Sequence, residues 1–243
     1  MALRDGDGEP MTGTDPTGDP ATAARRLARR AITATLATVA ADGAPFASLV
    51  LVACDHDGTP ILMLSDLAAH GRNIAGDDRV SLLFDGTRGH ADPLTGPRVS
   101  VSGRIAPSAD ARHRARFLAR HPGAAIYADF TDFKVYRVTV ASAHAVAGFG
   151  RIDAIAGADY IVAGPLAIDE DAWRDRLAGD PAAALLARAA AAASPPVTLV
   201  GVDADGCDLR AGDRLVRLDI AQTARDDAAL AAALAAPPLD RER

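Results

Sequence analysis

The chain has 243 residues, 49% of them hydrophobic and 24% charged, which is enough length and apolar content to bury one large core or two modest ones. That composition excludes a disordered, collagen-like or disulfide-stapled chain. A net charge of −6 argues against the broad basic surface that nucleic-acid backbones need, and the two cysteines, Cys54 and Cys207, form no CxxC pair and read as small thiols in a reducing compartment.

Residues 1–19 are acidic and rich in Gly, Pro and Thr, without the apolar stretch of a signal peptide, and read as a disordered tail. No apolar run approaches the ~20 residues of a membrane span, so the expected address is cytoplasmic, with neither membrane nor nucleic acid as a partner. Order is expected from Asp19-Pro20, a good N-cap followed by a good first helical residue, into a helix over 21–31. Its four arginines, Arg25, Arg26, Arg29 and Arg30, read as a solvated face. Alternation over Thr33 to Val39, the turn signal Asp42-Gly43 and the run Phe46 to Val52 predict two antiparallel strands. A second turn, Asp57-Gly58, leads to a strand at Ile61 to Leu64. The period then changes, and Leu67, His70 and Ile74 fall on one face of a short helix that Ser65 or Asp66 can cap.

Arg79 to Phe84 reads as a strand and 85–97 as a long loop. In Arg98 to Ile105 the valines and the isoleucine face one way and Arg98, Ser100, Ser102 and Arg104 the other. A basic helix over 109–120 carries His113 and His121 as surface residues. Two more strands, Phe133 to Val140 and Ala143 to Phe149, complete some six, and short antiparallel connections favour a barrel over a parallel sheet. Gly157 to Pro165 reads as a linker. Beyond it come Ala-rich helices around Trp173 and over 182–193, strands at Val197 to Val202 and Arg214 to Ile220 with Asp205-Gly206 between them, and a helix over 223–236. This predicts a smaller α+β domain over 166–237, after a main domain over 20–155.

Motifs prune the chemistry. No P-loop, GxSxG elbow or HExxH occurs, and Gly148-Phe-Gly-Arg-Ile-Asp is a poor dinucleotide fingerprint because Asp153 stands where the third glycine belongs. His90-Ala91-Asp92 supplies two metal-ligand types without a third, so no metal site is assigned. His56 lies in a turn, and His144, in a strand, is open between a core position, an axial ligand and neither. The segment Ser65 to Asn73 sets a hydroxyl, an imidazole and a guanidinium at a strand-to-helix junction. Free N–H groups and the helix dipole there suit an anion such as phosphate, and the alternative is a plain cap beside a surface arginine.

These blocks in this order resemble the pyridoxamine 5′-phosphate oxidase-like split-barrel family, and more narrowly its haem-utilisation branch of flavin-binding proteins. The blocks are the hairpin ending Phe46-Ala-Ser-Leu-Val, Leu64-Ser-Asp-Leu-Ala-Ala-His-Gly-Arg-Asn-Ile, Asp78-Arg-Val-Ser-Leu-Leu, Asp92-Pro-Leu-Thr-Gly-Pro-Arg and Gly148-Phe-Gly-Arg. The resemblance covers roughly 20–155 and implies an α+β protein. Its main part would be a six-stranded antiparallel split β-barrel that forms a homodimer with cofactor sites at the subunit interface. It places Ser48, Ser65, His70 and Arg72 around the phosphate of flavin mononucleotide (FMN), with Arg98 and Ser100 reaching in from the partner subunit. Serine stands at 48 where the oxidases proper carry arginine.

The C-terminal domain also has a counterpart in that branch, matched over 197–220. Many relatives there carry a His-Met-Asn-x-x-His type segment associated with haem, and here Arg176-Leu-Ala-Gly-Asp-Pro181 stands in its place with neither histidine. The first expectation is an FMN-dependent oxidoreductase acting on a small molecule, because the isoalloxazine itself supplies the redox chemistry and no acid–base dyad is needed. Haem binding, through His70, His90 or His144, is the second. A split barrel without a cofactor, acting through protein contacts, is the third.

Overall fold

A computed structural model describes residues 18–148, 151–178 and 197–236. Helix α1 (Pro20–Arg30) starts as its sequence dictates, with the Asp19 carboxylate accepting from the N–H groups of Ala21 and Thr22. The strands that follow are β1 (Thr33–Val39), β2 (Pro45–Leu51), β3 (Ala53–Cys54), β4 (Pro60–Ser65), β5 (Arg79–Asp85), β6 (Pro97–Pro107), β7 (Phe133–Ala147) and β8 (Ile152–Ala156). Helix α2 (Ala69–Gly76) joins β4 to β5, and α3 (Ala111–Arg120) joins β6 to β7. The order across the sheet is β2-β1-β5-β6-β7-β4-β3, with β8 added to β7, and every ladder is antiparallel.

The sheet has eight strands where six were expected. The two strands read over 133–149 are one continuous strand, whose first part pairs with β4 and whose last part pairs with β8. Between those two parts β7 carries a bulge: Ser102 of β6 faces Ser142 and Gly103 faces Val140, leaving Ala141 as the extra residue. A Cβ at Gly103 would stand 2.1 Å from the Thr139 carbonyl oxygen, so only glycine allows the two strands to close there. The core is the inner face of this curled sheet, with Leu36, Leu82, Phe84, Val99, Val101 and Val138 fully enclosed. The segment read as a linker instead continues the packing: Gly157–Tyr160 forms a short helix, α4, and Tyr160 joins the barrel core.

Beyond it, α5 (Glu170–Arg176), β9 (Val197–Asp203), β10 (Gly206–Ala211), β11 (Arg214–Asp219) and α6 (Asp227–Ala235) surround a second core of Trp173, Val202, Leu209 and Leu230. Strand β10 was not anticipated. It pairs with both β9 and β11, making a three-stranded antiparallel sheet. The Ala-rich helix read over 182–193 lies outside the described residues.

The largest departure from the sequence reading concerns the arginines. Arg25, Arg26 and Arg29 are 4%, 1% and 2% exposed, and Arg30 alone meets solvent. Arg29 donates to Asp205 (2.9 Å) and to the carbonyls of Asp55 (2.8 Å) and His56 (2.7 Å), and pairs with Asp203 at 3.2 Å. Arg25 bonds Asp205 at 3.0 Å. From α3, Arg116 reaches Glu170 and Arg120 reaches Asp208, each at 2.6 Å. The polar faces of α1 and α3 are therefore the seat of the C-terminal sheet, and its carboxylates cover them. Burial would raise the Asp203 carboxyl, but the guanidiniums of Arg217 and Arg29 outweigh it and hold the group well below the usual carboxylate range.

The histidines of the basic helix are also internal. His113 binds Asp55 at 3.0 Å and Ser108 at 2.7 Å, and His121 donates to the Val52 carbonyl at 2.8 Å. Cys54 and Cys207 are both free and buried.

Candidate functional site

The junction between β4 and α2 is built by close approach. A Cβ on Gly71 would fall 2.2 Å from the Ser65 carbonyl oxygen, so the glycine lets the helix turn back directly over the strand end. Asn73 then pins the helix sideways, donating to Thr38 Oγ1 of β1 at 3.0 Å. The result sets His70 over β2, where its Nδ1 lies 3.2 Å from Ser48 Oγ. Both residues are half-buried, and burial lowers the imidazole's pKa, favouring the neutral ring. Its Nε2 has no hydrogen-bond partner among the described residues.

Ser65 caps less than expected. Its Oγ accepts from Leu67 N–H at 3.1 Å, ahead of the helix, and donates to the Asp132 carboxylate. Helix α2 itself begins without a side-chain cap. Asp66 is occupied too, by Lys134 and by Tyr136 Oη at 3.0 Å. The bond from Lys134 keeps the Asp66 carboxyl below its usual value, while burial, followed by the neighbouring carboxylate, pushes the Tyr136 phenol up to about 12. Arg72 is exposed, one guanidinium nitrogen resting on the Leu67 carbonyl.

Of the six residues singled out in the sequence, the structure therefore brings four to one place: Ser48, Ser65, His70 and Arg72. Arg98 and Ser100 stand apart from them within one chain. Ser48 lies opposite Leu36, Leu36 opposite Leu82, and Leu82 opposite Val101, so β1 and β5 intervene, a span of about 14 Å at the usual strand spacing. Ser100 also faces away from the core, since its neighbours Val99 and Val101 point inward. The Arg98 guanidinium bonds the carbonyls of Leu94 (2.8 Å) and Gly96 (3.2 Å) in its own loop.

Sequence reasoning missed Asp132, Lys134 and Tyr136, because their place at the site depends on β7 pairing with β4, with Phe133 opposite Ser65. The other histidines of interest lie elsewhere. His144 is exposed on the outer sheet face opposite Ser100, and His90 sits in an exposed loop where Asp92 caps a 3-10 turn. Among the described residues, no group of three His, Cys, Asp or Glu side chains is placed to hold a metal ion.

A curled antiparallel sheet built around a bulged long strand, with a strand–helix junction at its side, defines a split-barrel protein. The chain belongs to the CREG β-barrel family, whose match runs over residues 15–162. It is 37% identical over 100 residues to the chloroplastic non-canonical haem oxygenase HOZ of Arabidopsis thaliana, a match covering 40% of this chain and 30% of the plant protein. The chain thus spans less than a third of that relative's length. Among solved structures it is similar to a haem-binding protein of Mycobacterium smegmatis, at 29% identity and a TM-score of 0.58, covering 89% of this chain and 95% of the other. It is also similar to the protein Atu2129 of Agrobacterium tumefaciens, of unknown function, at 26% identity and a TM-score of 0.71, covering 93% and 99%.

Proposed function

We propose that this protein binds haem through His70. The observation that carries the reading is the Ser48–His70 pair: a half-buried, neutral-leaning imidazole whose Nδ1 is held by a hydroxyl while Nε2 has no protein partner. Metal-bound histidines characteristically have the second ring nitrogen fixed in this way, which sets tautomer and ring orientation. Exposed apolar side chains flank the pair in sequence and register, Leu67 at 73% and Phe46 at 37% exposure, and suit a flat hydrophobic ring system. Arg72 supplies a solvent-facing guanidinium for a propionate. The haem-binding protein of Mycobacterium smegmatis and the plant haem oxygenase, both similar to this chain, support the choice of ligand. Haem, when bound, supplies a redox-active iron; the chain's own residues bind and orient it.

FMN is the rival occupant of the same cluster, as the uncapped first turn of α2 and Arg72 are both features that an anion uses. Haem is favoured because two carboxylates, Asp66 and Asp132, stand at that strand end. The proposal includes a homodimer. The outer sheet face carries small residues in register across five strands (Ala47, Ala37, Ser81, Ser102 and Ser142), with Leu49 74% and Leu83 40% exposed beside them. A second copy on this face would cover those leucines and bring Arg98 and Ser100 against a neighbouring chain.

Haemin titration of the purified protein tests the reading, followed by absorbance and by gel filtration of the mixture. The expected result is a saturable Soret shift that elutes with a dimer. His70→Ala should abolish or displace the band, Arg72→Ala should weaken binding about tenfold, and His144→Ala should leave it unchanged. A colourless protein that co-elutes with FMN alone overturns the assignment.

A further inference from the structure

We infer that Asp132 is a specificity residue of this site, one that excludes phosphate monoesters from the strand–helix junction. The inference rests on the reading that the junction is the ligand site, and it explains which ligands the site refuses. Three observations carry it. Ser65, whose carbonyl lies against Gly71 of the first turn of α2, donates its hydroxyl proton to the Asp132 carboxylate and accepts from Leu67 N–H, so it has no hydrogen left for an incoming anion. The chain itself fixes Asp132 in place, because Asp66 N–H donates to the Asp132 carbonyl at 2.8 Å. Asp66, the other carboxylate at this end of the sheet, is matched by Lys134 and Tyr136, whereas Asp132 has no cation within ion-pair distance among the described residues. It is half-buried and one hydrogen bond from Ser65, the strand end over which α2 turns back at Gly71.

The first turn of α2 has no side-chain cap and would otherwise attract a dianion. A fixed carboxylate beside it reverses that preference through like-charge repulsion and by engaging the Ser65 hydroxyl. A ligand whose bulk is an apolar ring system, with its charges at the rim beyond Arg72, escapes this penalty. A ligand that must set a phosphate on the helix start does not.

The test compares FMN with riboflavin, which differ only in the phosphate, by flavin fluorescence quenching in the wild type and in Asp132→Asn and Asp132→Ala. Asn removes the charge and keeps an acceptor for Ser65; Ala removes both. The ratio of FMN to riboflavin affinity should rise at least tenfold in Asp132→Asn and further in Asp132→Ala, with inorganic phosphate competing in the variants. In the Asp132→Ala background, Ser65→Ala should cancel part of the gain. Thermal unfolding confirms that each variant is folded, and Asp132→Asn, nearly isosteric, decides the matter alone if the alanine variant does not fold. An unchanged ratio, or no flavin binding by any folded variant, overturns the inference. Haemin titration of the wild type is read separately, so a missing Soret shift counts against the haem reading and leaves the flavin ratios to judge Asp132.

Discussion

Arg29 and Arg30 are neighbours in the sequence and opposite in consequence. Arg29 is 2% exposed, and its loss would remove the cation that Asp203 and Asp205 share, leaving them to Arg217 and Arg25, and would take the donor from the buried carbonyls of Asp55 and His56. Losing a buried charge partner and two buried hydrogen bonds together, Arg29→Ala should cost about 3–5 kcal/mol in urea unfolding. Arg30 meets Asp219 at the surface and Arg30→Ala should cost about 1 kcal/mol or less in the same assay. Equal costs would show that the cluster is not organised around Arg29. Nothing in the run Arg25-Arg26-Leu27-Ala28-Arg29-Arg30 separates these cases. A polar helix face reads as solvated until its covering partner is known, and the partner lies some 180 residues further along the chain.

At the scale of the element, α2 was legible in its essentials, because the change of period after Leu64 and the face formed by His70 and Ile74 are local. Its start was not. The helix begins at Ala69, since Ser65 and Asp66 are engaged by Asp132, Lys134 and Tyr136 from a strand the sequence does not place beside them. Gly71 is where local and tertiary demands meet. Gly71→Ala offers better intrinsic helix propensity, by about 1 kcal/mol, yet its Cβ would collide with the Ser65 carbonyl. The expected outcome is net destabilisation together with a changed environment for the His70 ring, read from its NMR titration. A stabilised protein with an unmoved His70 signal would show that the close approach relaxes freely. Strand β7 teaches the same lesson: its alternation reads correctly, but its continuity past the bulge at Ala141 and its two partners, β4 and β8, are set by pairings that are not local.

For the whole molecule, stability should follow pH in two stages. Burial pulls His121 down to about 4, against the raising effect of its bond to the Val52 carbonyl. Between pH 6.5 and about 4 the unfolded chain therefore takes up a proton at this position that the folded chain refuses, and stability falls as the pH drops through that window. Below the ordinary carboxylate value of 3.8, Asp55 and Asp203 add a second loss, because their folded-state values lie well beneath it. Melting temperature measured in pH steps should be flat near neutrality, decline from about 6.5, and steepen in acid. His121→Gln should remove most of the first decline, leaving the smaller part due to the half-buried His70 ring, and keep the second. A first decline undiminished in that variant would assign it to another group.

The same arginine–carboxylate seat also bears on the order in which the protein is made. Helix α1 leaves the ribosome early, but Asp203 and Asp205, which its arginines require, follow only after some 180 more residues. At about 5–20 residues per second that interval is on the order of 10–35 s. Throughout it Arg25 and Arg29 lack the carboxylates of the C-terminal sheet that pair with them in the finished fold. Completion of the fold is thus timed by the arrival of the C-terminal sheet.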